Sequence, residues 1–89
     1  MKIVVTIVGE DRVGIIAMVS TVLAEHGVNV LSVNQNIIDG FFNMVMIAEM
    51  KEGGIKIPEL QKILSEKGQA DNLEIKVQHQ GIFNVMHSI

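Results

Sequence analysis

The sequence predicts an α+β sandwich in β-α-β-β-α-β order, with a four-stranded antiparallel sheet carrying two helices on one face. Three observations carry this expectation. Short β-branched or alternating segments are separated by turn residues, as strands are. Two longer segments repeat their apolar residues at helical spacing and each runs into a glycine. An Asp39-Gly40 pair divides two extended runs, the strongest short-range signal for a two-residue hairpin.

Ile3 to Val8 is a continuous β-branched run stopped by Gly9, the pattern of a short buried strand. The polar loop Gly9-Glu10-Asp11-Arg12-Val13-Gly14 follows, with Asp11 placed to N-cap the next element. From Gly14 to His26 the spacing is helical: Ile15, Met18, Val19, Val22, Leu23 and His26 share one side at about 100° per residue. Gly27 then supplies the left-handed residue that ends a helix.

Val28 to Asp39 and Phe41 to Met50 read as the hairpin strands, joined by a type I′ turn at Asp39-Gly40. Lys51 to Lys56 form a loop around Gly53-Gly54, and Pro58 suits the first position of a second helix. There Leu60, Ile63, Leu64 and Lys67 recur at helical spacing and Gly68 closes the segment. Leu73, Ile75, Val77 and His79 then alternate with Glu74, Lys76, Gln78 and Gln80, as on a strand with one inward face.

Right-handed crossovers close this order into a ferredoxin-like sandwich, with the first and third strands central and the second and fourth at the edges. The expected layout is one domain, 1–89, with its core in 2–80 and a short C-terminal helical tail in 81–89. A chain of 89 residues has room for one domain only.

Composition narrows the function. The formal charge is −3, with acids and bases interspersed and no run of Lys or Arg, so no surface is built for phosphate backbones. The three aromatic residues, all Phe, leave little for bases to stack on; nucleic acid is not an expected partner. Cysteine is absent, which removes disulfides, thiolate metal sites and a Cys nucleophile, and fits a reducing compartment. The first apolar run meets Gly9-Glu10-Asp11-Arg12 too early for a signal peptide or a membrane span. A soluble, cytoplasmic protein with no membrane partner is expected.

No catalytic set is legible. His26 and His79 lie on inward-facing positions and read as packed residues. A His79–His87 metal pair lacks a third ligand. Ser20, Thr21 and Ser32 have no His and acid at a recognisable spacing. The expectation is a protein that is not an enzyme and needs no metal or cofactor.

The apolar residues, 48% of the chain, exceed what two helices on one face can cover. On the third strand Phe42, Met44, Met46 and Ala48 line one face, while Phe41, Val45 and Ile47 line the other. The tail adds Ile82, Phe83, Val85, Met86 and Ile89, which either fold back on their own sheet or pack across a seam between chains. This surplus favours a homo-oligomer, a dimer or tetramer.

The segments Ile7-Val8-Gly9-Glu10-Asp11-Arg12-Val13-Gly14-Ile15-Ile16 and Ala24-Glu25-His26-Gly27-Val28-Asn29-Val30 together resemble the ACT domain. That family is marked by an Asp/Asn-Arg-x-Gly loop entering the first helix and a Gly-(Val/Ile)-Asn-(Ile/Val) start to the second strand. The chain looks closest to the stand-alone, single-domain ACT proteins of bacteria and archaea, which are also similar to the glycine-cleavage regulatory repressor. The resemblance implies a small effector, often an amino acid, held between two chains. It implies a site at Asp11, Arg12, Val13 and Gly14, with Asn29 reaching in from the neighbouring chain. Unpaired N–H groups at the first helix's start suit an effector carboxylate, and Asp11 suits an ammonium.

Each residue also has a purely structural reading. Asp11 is a cap, Arg12 a solvated charge, Gly14 a helix-to-sheet contact, and Asn29 a partner for the turn after Gly27. A second function stands beside sensing: an interaction module that pairs through its sheet and binds no small molecule. The apolar surplus predicts a dimer or larger assembly in light scattering; a clean monomer at micromolar concentration would contradict it.

Overall fold

The computed structural model describes residues 1–81. The elements are β1 (Lys2–Glu10), α1 (Ile15–Glu25), β2 (Asn29–Ile38), β3 (Phe41–Glu49), α2 (Ile57–Ala70) and β4 (Leu73–His79). They form a four-stranded sheet in the order β2-β3-β1-β4, and every pairing is antiparallel. The α+β sandwich and its central and edge strands are as the sequence predicts. The expected helical packing of 82–89 lies outside the described residues.

β1 is bonded along both edges. It meets β3 from Lys2↔Glu49 to Glu10↔Phe41 and β4 from Ile3↔His79 to Gly9↔Leu73. Its inward residues Ile3, Val5 and Ile7 are fully buried with Met44 and Met46 of β3 and Val77 of β4. Both helices lie on this face: Ile15, Val19, Val22 and Leu23 come from α1, and Leu60 and Leu64 from α2. Each such side chain removed from water contributes about 1.5–3 kcal/mol. No buried polar or charged residue interrupts this core among the described residues.

The hairpin turn follows its sequence signal. Asp39 and Gly40 have φ of 51° and 80°, the positive values a type I′ turn needs. Gly27, at φ 69°, ends α1 as expected.

Three local expectations are corrected. Gly68 does not end α2. The helix runs to Ala70 and its cap is Asp71, while the left-handed residue is Asn72, at φ 56°. Gly68 is buried inside the helix because α2 comes close to β4 there: a Cβ would meet the Leu73 carbonyl oxygen at 2.8 Å and the Ile75 side chain at 3.0 Å. Pro58 is the second residue of α2, not the first. His79 keeps the inward parity but is exposed, because it lies at the end of β4, opposite Ile3.

β2 is the least regular of the strands. A register shift between Val30 and Ser32 leaves Leu31 as an extra residue. Such a bulge reverses the facing of everything beyond it. Val33, Gln35 and Ile37 therefore align with the inward Met46, Met44 and Phe42, and Asn34 and Asn36 with the outward Val45 and Asn43. All of β2 from Leu31 to Ile38 is nonetheless exposed, and it is an edge strand of the sheet.

Gly68→Ala tests the α2–β4 approach. Helix propensity alone would favour alanine by about 0.8–1.0 kcal/mol, whereas overpacking costs about 1–3 kcal/mol. Because the obstructing atom is backbone oxygen, net destabilisation is expected, read as a lower denaturation midpoint. A stabilised variant would contradict the packing.

Candidate functional site

The loop after β1 is fastened on two sides. Its Asp11 N–H donates to the Gly40 carbonyl at 2.9 Å, tying it to the hairpin turn. The Arg12 guanidinium donates to the Asp71 carboxylate at 2.8 Å, tying it to the end of α2. Both side chains are partly exposed, 52% and 33%, so this ion pair contributes at most about 1 kcal/mol. Its main effect is on position: the guanidinium is held towards α2.

Asp11 does not cap α1. The N-cap is Gly14, with φ 95° and ψ 0° and no side-chain bond. The first helical hydrogen bond runs from the Met18 N–H to the Gly14 carbonyl at 2.9 Å. The N–H groups of Ile15, Ile16 and Ala17 thus have no acceptor within the helix. No acidic residue stands in the first turn. A Cβ on Gly14 would meet nothing within 4 Å, so this glycine is not a helix-to-sheet contact. It is required by its left-handed backbone.

These N–H groups border a cleft of about 430 Å³. One side is the loop and first turn, Asp11 to Ala17; the other is Gln35 and Ile37 of β2 with Phe42 of β3. Ile15 and Phe42 are buried beneath it, while Val13 is 99% exposed at its rim. Asp11, Arg12, Val13 and Gly14 are therefore brought together as the sequence suggests. Asn29 is not among them within one chain. It pairs with Glu49, whereas Ile37 pairs with Phe42 beside the cleft, a separation on the order of 27 Å along the strand.

Gln35, Ile37, Phe42, Ile16 and Ala17 were not among the residues expected at the site. The Asp39-Gly40 turn carries a usable signal for two of them, since a two-residue hairpin loop pairs Ile38 with Phe41 and Ile37 with Phe42. The Arg12–Asp71 pair joins residues 59 apart and has no local signal.

A larger groove, about 600 Å³, lies between α2 and β4 and is lined by Ser65, Gln69, Asn72 and Lys76 among others. It lacks the free helical donors of the smaller cleft, which is the better site for a small anion-bearing ligand. Among the described residues no group of His, Asp and Glu is arranged to hold a metal ion. No helix there is long and apolar enough to cross a membrane.

The family model described as ACT domain matches residues 1–78. The chain belongs to the ACT domain family. A UPF0237 protein of Clostridium perfringens is 44% identical over 89 residues, covering 100% of both chains. The solved structure of an ACT domain protein from Streptococcus pneumoniae superposes with a TM-score of 0.81 at 32% identity, covering 93% of each chain. A crystal structure of a putative glycine cleavage system transcriptional repressor gives a TM-score of 0.76 at 23% identity, covering 86% of this chain and 44% of that one. At that identity the likeness is one of fold alone.

In this ACT domain the Gly14 backbone is the most exacting feature of the loop. Gly14→Ala should destabilise the fold by about 1–2 kcal/mol through its left-handed φ, and Gly14→Asn by less, because Asn tolerates that region. Urea denaturation of the two variants measures this; equal, negligible changes would refute it.

Proposed function

We propose that this chain is a regulatory domain that senses a small molecule, an amino acid, and does so as a homo-oligomer with the effector held between two chains. The observation that carries this reading is the cleft at the uncapped start of α1. There the free N–H groups of Ile15, Ile16 and Ala17 adjoin an apolar floor. An amino acid's carboxylate suits those donors, and its ammonium suits the Asp11 carboxylate at the same rim.

The edge strand β2 supports the oligomeric part. Leu31, Val33, Ile37 and Ile38 are all about half exposed, at 45–56%, on a strand whose outer edge is unpaired in the sheet. Such an edge calls for a cover. Antiparallel pairing with β2 of a second copy sets the start of one strand beside the end of the other. Asn29 of the second copy then arrives at the Gln35–Ile38 end, which removes the separation found within one chain. By its register Asn29 starts the strand on the face opposite Gln35 and Ile37, so its amide would reach the cleft around the strand end. An effector bound there shifts the assembly by its differential affinity for the paired and unpaired chains.

The exposed Phe41 and Val45, at 54% and 39% on the sheet face away from the helices, favour a second reading, a module that pairs with another protein through its sheet. A thermal-shift screen of the amino acids separates the two. A ligand at a hundred times its Kd should stabilise the chain by about 2.7 kcal/mol, and Asn29→Ala should weaken that response. No shift with any amino acid would favour the interaction module. An equal shift in Asn29→Ala would remove Asn29 from the site.

A further inference from the structure

We propose that the effector is an amino acid with a branched apolar side chain, selected by Ile16 and Ile37. This rests on the amino-acid reading above and narrows it. The two isoleucines line the same cleft and are 40% and 53% exposed, above Ile15 and Phe42, each 3% exposed. A concave apolar floor with unburied aliphatic walls is the usual form of a small-molecule pocket, and its volume of about 430 Å³ falls within their range. An aliphatic ligand side chain gains by removing water from both walls at once.

The polar groups argue in the same direction by what they leave unmet. Arg12 is the cleft's one cationic side chain, and its guanidinium is engaged by Asp71 at 2.8 Å. A second carboxylate on the ligand would compete with Asp71 for that guanidinium and would face the charge of Asp11. A hydroxyl or amide set against Ile15, Ile16, Ile37 and Phe42 would lose water without gaining a hydrogen bond. Gln35 is the remaining polar side chain at the cleft, one amide against an otherwise aliphatic and aromatic surface.

Calorimetric titration of the whole chain, at concentrations where it is assembled, with isoleucine, leucine, valine, alanine, serine, lysine and glutamate tests this. The branched aliphatic ligands should bind at least about tenfold more tightly than alanine or serine, since each methylene in an apolar pocket is worth about tenfold or more. Glutamate should bind most weakly. Ile37→Thr, at a half-exposed position, should weaken isoleucine binding by about tenfold and leave alanine binding within about twofold. The Ile16 and Ile37 methyl resonances should shift on titration. Tighter binding of a polar or acidic amino acid, or unaltered isoleucine affinity in Ile37→Thr, would overturn the selectivity and leave the amino-acid reading standing. No binding of any amino acid would overturn both.

Discussion

The paired edges of β1 are the constraint from which the rest of the molecule is placed. Because β1 bonds to β3 on one side and β4 on the other, its backbone groups are satisfied within the sheet and its inward side chains can be fully buried. Ile3, Val5 and Ile7 then present one apolar strip on which both helices lie. The end of that strand also delivers the loop that borders the cleft. Glu10 is held opposite Phe41 and Asp11 is bonded to Gly40, so the loop starts from a fixed point beside the hairpin turn.

Close approach at the other side of the sheet serves the same end. Gly9 stands opposite Leu73 in the β1–β4 ladder, and a Cβ there would meet the Asn72 carbonyl oxygen at 2.8 Å. Gly68 brings α2 down on the same stretch of β4. Together these two glycines draw the α2–β4 connection against β1, and Asp71 in that connection receives Arg12. Arg12 lines the cleft, but its guanidinium is drawn towards the end of α2 by the packing along the β1–β4 edge. Core geometry thereby sets the chemistry of the cleft, leaving backbone N–H groups and aliphatic walls as its main features.

The sheet divides into covered and uncovered parts. β1, β3 and β4 bury their inward residues, whereas β2 remains exposed along nearly its whole length. A strand of that composition is poorly suited to solvent, and its edge is an incomplete ladder. Covering it with a second copy would join completion of the sheet to completion of the cleft. Ligand binding and assembly would then share one free energy, the condition for regulation by a small molecule.

The sequence alone determined the element order, the hairpin turn, the two sets of residues on β3, the inward alternation of Leu73, Ile75 and Val77 on β4 and the loop from Asp11 to Gly14. These rest on local rules: side-chain period, turn conformation and the placing of glycine. Asp11 does not cap α1 and Gly68 does not end α2, because the same residue types serve several local roles and contacts distant in sequence choose among them. Gly14 took the cap through its backbone, and Gly68 took a buried position under Leu73 and Ile75. The hairpin turn signals the pairing of Ile37 with Phe42, but only the tertiary structure set that pair as the far wall of the cleft. The extra residue at Leu31 turns Gln35 and Ile37 to the helix side, where the uninterrupted period would have placed Asn34 and Asn36. A bulge has no signature in the alternation of one strand, because it is defined only by the register of that strand against its neighbour.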